Sequence, residues 1–294
     1  NTNQHMNYPI EKFDVYTLNV GYSCNNADWN WKNIQSPFAR LYLVLNGKAK
    51  IVLPGGTYEL TPGHLYLIPA YTRHSYLCTS HFSHYYLHIY EKQTCETSIL
   101  EEFNMPVEVE AEEYDMKLFE KLVHLNPFMK LPSSNPNSYD NHQTLVNNMQ
   151  MNVKRPFFEK VESRGILFIL LSRFLKNASP KVEVSDDRIR QALALIRHNL
   201  NKHLDIATIA NEVCMSKDHF IRTFKKEVGT TPNTYIIRRK MEMAQLLLLT
   251  SDNPVKSIAA QLGFSDDSYF NRAFSKFSGK SPLQYRICRG QTDM

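Results

Sequence analysis

Between residues 8 and 110 the hydrophobic positions fall in short runs, several alternating with polar ones and cut by glycine and proline. That pattern predicts β-strands. Arg40-Leu-Tyr-Leu-Val-Leu45 reads as a strand, Asn46-Gly47 as a tight turn, and Lys48-Ala-Lys-Ile-Val-Leu53 as the returning strand of a hairpin. Pro54-Gly-Gly56 turns the chain into Thr57-Tyr-Glu-Leu60, Thr61-Pro-Gly63 precedes Leu65-Tyr-Leu-Ile68, and His84-Tyr-Tyr-Leu-His-Ile-Tyr90 forms a further strand. Short strands with this punctuation predict a sandwich or barrel. Near residue 112 the period lengthens. Leu118, Leu122 and Leu125 have helical spacing, residues 126–138 are rich in Pro, Asn and Ser and read as a loop, and helices are predicted over 139–153 and 156–176. The last is apolar around much of its circumference between Ile166 and Leu175, so one face can cover the barrel and another can pair with a second subunit. Residues 177–185 read as a linker, and from 186 onward the chain reads as helix separated by brief turns.

The helical region repeats itself. Phe220-Ile-Arg-Thr-Phe-Lys-Lys-Glu-Val-Gly-Thr-Thr-Pro-Asn-Thr-Tyr235 matches Phe270-Asn-Arg-Ala-Phe-Ser-Lys-Phe-Ser-Gly-Lys-Ser-Pro-Leu-Gln-Tyr285 at seven of 16 positions, at an offset of 50. Upstream the offset is 49, with Ile209-Ala210 matching Ile258-Ala259, so one residue slips in the turn between the helices of each unit. In the first unit Asp205 caps a short helix, Cys214-Met215 turn, and Ser216 caps a longer helix whose Phe220 and Phe224 share a face. Gly229 stops that helix and Pro232 opens the next. In the second unit Pro254 opens the short helix, Gly263-Phe264 turn, and Ser265 or Asp266 caps the longer one. Phe270, Phe274, Gly279 and Pro282 repeat the pattern. A short helix, a tight turn and a longer helix make a helix-turn-helix unit.

Charge agrees with this division. Residues 181–294 carry 18 Lys and Arg against 12 Asp and Glu, and residues 1–180 carry 16 against 17. The basic excess therefore lies wholly in the C-terminal part, which suits nucleic acid. Cys24, Cys78, Cys95, Cys214 and Cys288 form no C-x-x-C pair and fit reduced thiols in a cytoplasm. No basic-then-apolar leader and no membrane-length apolar run is expected, hence no membrane partner.

The stretch over residues 186–289, and most specifically Ala259-Ala-Gln-Leu-Gly-Phe-Ser-Asp-Asp-Ser-Tyr-Phe-Asn-Arg-Ala-Phe-Ser-Lys-Phe-Ser-Gly-Lys-Ser-Pro-Leu-Gln-Tyr-Arg286, resembles the DNA-binding domain of the arabinose-regulator (AraC/XylS) family. The resemblance implies seven helices, with two recognition helices joined by one long helix and entering successive major grooves of promoter DNA. The connecting helix, about Asn233 to Leu249, is roughly 26 Å long at ~1.5 Å per residue, a span compatible with grooves ~34 Å apart once the turns are added. Base readers are expected opposite the Phe pairs, near the start of each second helix: Asp218, Ile221 and Arg222, then Ser268, Asn271 and Arg272. Lys217, Lys225, Lys226, Lys276, Lys280 and Arg286 are assigned to phosphates.

Gly63-His-Leu-Tyr-Leu-Ile-Pro69, followed by His74, resembles the second half of the cupin pattern, and many members of that family carry a cupin-like sensor there. No H-x-H occurs, and the sequence offers no metal or other cofactor site and no catalytic set. Alternation puts Arg40, Tyr42, Val44 and Asn46 on one strand face and Leu41, Leu43 and Leu45 on the other. His84, Tyr86 and His88 likewise oppose Tyr85, Leu87 and Ile89. Two placements stay open: the polar and aromatic faces line the interior, or they face solvent. The resemblance places Asn46, Tyr76, His84 and Tyr86 in the ligand pocket, with Asn46 where the arabinose sensor has arginine. The effector-binding candidates are therefore Arg40, Asn46, His74, Tyr76, His84, Tyr86 and His88.

The sequence thus predicts an α+β chain: a cupin-like effector-binding and dimerisation domain over 1–178 and a DNA-binding domain over 186–289. It is expected to be a cytoplasmic, homodimeric regulator, with double-stranded promoter DNA, a small polar effector such as a carbohydrate, and RNA polymerase as partners. The alternative is a cupin enzyme with an appended DNA-binding domain. A DNA-repair regulator would need a cysteine cluster, and Cys24, Cys78 and Cys95 lack its spacing.

Overall fold

The computed structural model describes residues 9–92, 98–181 and 184–288. Seven strands build one antiparallel sheet: β1 (Val15–Asn25), β2 (Trp31–Ile34), β3 (Ala39–Leu53), β4 (Gly56–Leu60), β5 (His64–Ile68), β6 (His74–Glu91) and β8 (Glu108–Glu110). The strand order is β1-β6-β3-β5-β8, with β2 also on β6 and β4 also on β3. The helix α1 (Ile99–Glu102) leads into β7 (Phe103–Asn104), which pairs with β9 (Ser179–Pro180). The stretch 177–185 is therefore partly anchored, and not simply a linker.

The hairpin predicted at Asn46-Gly47 does not form. β3 runs through both residues beside the equally long β6, with register shifts between Val44 and Asn46 and between Gly47 and Ala49. Gly47 has φ +91 and presses against the β6 backbone, so a Cβ there would sit 1.8 Å from the His81 carbonyl oxygen. The glycine bends a continuous strand pair by a bulge where the sequence suggested reversal.

Both faces of the sheet are covered. Leu41, Leu43, Leu65, Leu67, Leu87 and Ile89 pack under α2 (Asp115–Leu125) and α4 (Phe157–Leu175), whose Phe119, Leu122, Ile166, Leu170 and Phe174 are buried. Asp115 at the start of α2 is fully buried and paired with Arg173 at 3.0 Å. The opposite face encloses Trp29, Phe38, Tyr42, Tyr66, Tyr76, Phe82 and Tyr86. It is closed partly by Tyr139 and by Leu145 of α3 (His142–Lys154).

The C-terminal part has seven described helices: α5 (Asp187–His198), α6 (Ile206–Glu212), α7 (Lys217–Val228), α8 (Pro232–Thr250), α9 (Val255–Gln261), α10 (Asp267–Ser278) and α11 (Pro282–Cys288). Asp205, Ser216, Thr231 and Asp266 cap α6, α7, α8 and α10 through their side chains. Gly229 and Gly279 end α7 and α10 in the left-handed region.

The two parts pack on each other. α3 lies against α8, and its His142 reaches the Leu249 carbonyl and the Asp252 carboxylate, both at 3.2 Å. Tyr71 donates to the Glu242 carbonyl at 2.7 Å. Glu101 pairs with Arg239, and Glu102 with Arg197 at 3.3 Å. Those two glutamates are positioned because the buried Glu91 carboxylate accepts from Ser98 Oγ and from the first amides of α1.

Candidate DNA interface and ligand chamber

α7 and α10 are built alike. Each has two fully buried phenylalanines on its inner side, with ring centroids 5.6 Å apart for Phe220 and Phe224 and 6.0 Å for Phe270 and Phe274. That anchoring turns Asp218, Arg222, Ser268, Asn271 and Arg272 outward to solvent, while Ile221 is half-buried. Arg272 is tied only to the Asp266 cap, at 3.9 Å with both side chains exposed, so the guanidinium is available. Lys217, Lys225, Lys226, Lys276 and Lys280 are exposed. Lys225, Lys226 and Lys276 lie in the last turns of their helices and so also complement the helix dipoles. Arg286 is a different case. It donates to the Leu248 carbonyl at 3.2 Å and the Asn253 carbonyl at 2.6 Å. Two of its guanidinium N–H groups thus satisfy a carbonyl in the last turn of α8 and one in the turn that follows it.

α8 spans 19 residues, about 28 Å at ~1.5 Å per residue. It is fixed between the units by buried Met241, Ala244, Leu248 and Leu249. Sequence reasoning passed over His219 and Tyr269. These are repeat equivalents, both exposed, in the first turns of α7 and α10. The offset of 50 that paired Arg222 with Arg272 pairs them as well.

In the sheet part the choice between the two strand faces is resolved by burial. The leucine face lies under α2 and α4, and Arg40, His74, Tyr76, His84, Tyr86 and His88 lie together on the enclosed face, each 4% exposed or less. Asn46 does not join them. It sits past the bulge, exposed, accepting from the Gly47 amide at 2.7 Å. Register explains the grouping: Arg40 faces His88, Tyr42 faces Tyr86 and Val44 faces His84 across β3 and β6.

Hydrogen bonds fix several proton positions. His74 Nδ1 donates to the Thr72 carbonyl at 2.9 Å, so its Nε2 accepts from Tyr76 Oη at 3.0 Å. Tyr76 has then used its proton, and Tyr42 Oη donates to it at 2.6 Å. Asn148 Nδ2 donates to the Leu18 carbonyl at 3.0 Å and to Asn19 Oδ1 at 2.9 Å. That orientation leaves Asn19 Nδ2 to donate to His88 Nδ1 at 3.2 Å, so His88 carries its proton on Nε2. Burial pushes His84 down to about 3. Burial and the Arg40 charge push His74 down to about 3 and hold His88 well below its ordinary value. All three rings are neutral at neutral pH. Arg40 Nε, His84 Nδ1 and His88 Nε2 are buried without hydrogen-bond partners.

Strand alternation held the signal for Tyr42. Trp29, Tyr139, Asn19 and Asn148 come from β1, loops and α3, and no local pattern marks them. Among the described residues no group of three or more His, Cys, Asp or Glu is placed to hold a metal ion, and no helix is long and apolar enough to cross a membrane.

A cupin-like sheet domain with an enclosed polar and aromatic face therefore precedes two matched helix-turn-helix units. Comparison with known families agrees part by part. Residues 20–98 match the AraC-like ligand binding domain, and residues 209–287 match a helix-turn-helix domain. In each of its two parts the chain thus resembles regulators of the AraC type. It is 33% identical over 102 residues to the arabinose operon regulatory protein of Salmonella typhimurium strain LT2, covering 34% of this chain and 36% of that protein. It is 25% identical over 262 residues to the HTH-type transcriptional activator RhaS of Escherichia coli strain SMS-3-5, covering 85% of each. The C-terminal domain of AraT, a response regulator from Geobacillus stearothermophilus, is 30% identical over 37% of this chain and 90% of that chain, with a TM-score of 0.34. The match to the arabinose operon protein thus spans about a third of that protein's length.

Proposed function

We propose that this chain is a ligand-responsive regulator that grips promoter DNA with α7 and α10 in successive major grooves. The observation that carries the reading is the repeat made structural: two helices with the same buried Phe pair present Arg222 and Arg272 outward from the two ends of α8. Asp218, Ile221, Ser268 and Asn271 accompany them at base edges, and Lys217, Lys225, Lys226, Lys276 and Lys280 lie where phosphates pass. The part up to 178 is the effector-binding and dimerisation domain, and 186–289 is the DNA-binding domain. The chain acts by binding and not by catalysis, in the cytoplasm, with RNA polymerase downstream of it.

The effector is a small polar molecule held in the chamber around Arg40, His74, Tyr76, His84, Tyr86 and His88. Tyr139 and Asn148 join that chamber to α3, and α3 joins it to α8 through His142. An effector that favours one placement of α3 would shift the DNA-binding helices by linkage. Dimerisation uses the outer side of α4. Phe157, Phe158, Val161 and Ile169 are exposed there, beside Val153 at the end of α3, and Gly165 between them leaves room for a partner helix.

Footprinting with the full chain tests the DNA reading. Two protected major-groove segments about one helical turn apart are expected on each half-site. Arg222→Ala and Arg272→Ala should each cost about 1–3 kcal/mol on the cognate site and relax specificity locally. Unchanged affinity and footprint in both variants would remove the assignment.

A further inference from the structure

Arg40 is 1% exposed, and its polar partners are neutral. It donates to Ser36 Oγ at 2.7 Å and Tyr76 Oη at 3.3 Å, and its guanidinium lies over the rings of Phe38 and Tyr139 at 5.7 and 5.2 Å. Several other buried or half-buried arginines of this chain meet carboxylates: Arg173 meets Asp115 and Glu112, Arg155 meets Glu159, and Arg239 meets Glu101 and Glu242, whereas Arg286 meets backbone carbonyls. Among the described residues no carboxylate pairs with Arg40. Arginine does not discharge by losing its proton, so among the described residues its fixed positive charge has no carboxylate partner, an arrangement that costs stability.

The chamber also has donors to spare. His88 is the cross-strand neighbour of Arg40, and its Nε2–H, fixed by the Asn148–Asn19 chain, has no acceptor. Arg40 Nε is likewise unpartnered. The two groups are neighbours, since Phe38 and Tyr139 flank both: their ring centroids lie 4.9 and 5.1 Å from that of His88. The Tyr42–Tyr76–His74 relay spends its protons internally and ends on the Thr72 carbonyl. What these donors lack is a negatively charged acceptor. A neutral polyol offers acceptors without charge, whereas a carboxylate supplies both and matches the guanidinium edge.

We propose that the effector is an anion, a small carboxylate-bearing molecule whose carboxylate is held by Arg40 and His88 with its body against the aromatic wall of Trp29, Tyr42, His84 and Tyr86. This rests on the reading that the sheet interior is the effector site. The aromatic wall and the remaining imidazole of His84 suit a ring or a short polar chain, so sugar acids are the leading class.

The test uses the full chain and two matched sets of probes. Glucuronate and galacturonate are compared with glucose and galactose by calorimetry at constant ionic strength. Formate is titrated against the Arg40 Nε–H resonance, which is assigned by its loss in Arg40→Met. The expected result is binding of the acids over their neutral parents, with formate shifting that resonance while chloride does not. Arg40→Met should weaken acid binding roughly tenfold or more, and Arg40→Lys should keep the preference for acids at reduced affinity. Arg40→Met removes a buried unpaired charge and should melt at or above the wild-type temperature, which separates loss of binding from loss of fold. Acid binding that survives Arg40→Met overturns the proposal. Binding of the neutral sugars alone, lost in Tyr86→Ala, overturns the anion assignment and keeps the chamber as the effector site. No response to any probe, formate included, overturns both.

Discussion

Gly263 decides how the two DNA-binding units fit together. It closes the turn between α9 and α10 at φ +70, and its repeat equivalent in the first unit, Cys214, has φ +55. A side chain is therefore tolerated in this backbone conformation, and conformation alone does not demand glycine here. The close approach does. A Cβ on Gly263 would lie 2.2 Å from the carbonyl carbon of Lys202 and 2.4 Å from its oxygen. That carbonyl also accepts from Lys240 Nζ at 2.7 Å, so the bend after α5, the middle of α8 and the second turn meet at one atom. Lys240 is buried enough that desolvation lowers it to about 8, and its ammonium needs this partner. Gly263→Ala should cost ~1–2 kcal/mol for the left-handed backbone and a further ~1–3 kcal/mol for displacing packed backbone. Gly279→Ala is the control. Gly279 has φ +75 with nothing within 4 Å of its Cβ position, so only the first cost applies. Urea unfolding read by helical circular dichroism measures both variants. Trp29 and Trp31 are the only tryptophans, so tryptophan fluorescence reports the sheet part, which packs on α8 through α3 and should show the smaller change. DNA affinity should drop further in Gly263→Ala than in Gly279→Ala, because the spacing of α7 and α10 depends on this junction. Losses of stability equal within about 0.5 kcal/mol would refute the close-approach reasoning.

The same geometry sets two further outcomes. His74 and His84 titrate near 3 in the folded chain, against an ordinary 6.5. Between those values the unfolded chain binds protons that the folded chain refuses, so the stability of the sheet part should fall as pH drops below about 6.5, by up to ~1.4 kcal/mol per pH unit for each histidine. His84→Gln should make that slope shallower by about one proton in fluorescence-monitored unfolding, and an unchanged slope would show that His84 is charged when folded. On α4, Phe158→Asp or Val161→Asp should give monomers in sedimentation with the sheet still folded; dimers that persist in both variants would place the subunit contact elsewhere.

Much of the DNA-binding half was legible in the sequence because its signals are local. Caps at Asp205 and Ser216, stops at Gly229 and Gly279, and Phe pairs four residues apart each depend on neighbours within one or two helical turns. The repeat then supplied a second reading of each. Arg286 escaped that logic, since its carbonyl partners lie 33 and 38 residues away on the chain. The strands were legible one by one, but their connection was not. Asn46-Gly47 has the composition of a hairpin turn, and only pairing of β3 along the whole of β6 makes it a bulge.

The sequence by itself determined which residues share a strand face and which helices repeat, because side-chain periodicity is a property of the backbone. It did not decide which sheet face is enclosed, since a leucine face under helices and an aromatic face around a chamber alternate with the same period. Tertiary packing decided that by laying α2 and α4 over the leucines. It also brought Asn19, Tyr139 and Asn148 to His88 from positions up to 129 residues apart. Burial then turned Arg40 from a polar residue on a strand into an unpaired charge, because the cost of charge depends on what surrounds it in space and not on what precedes it in the chain.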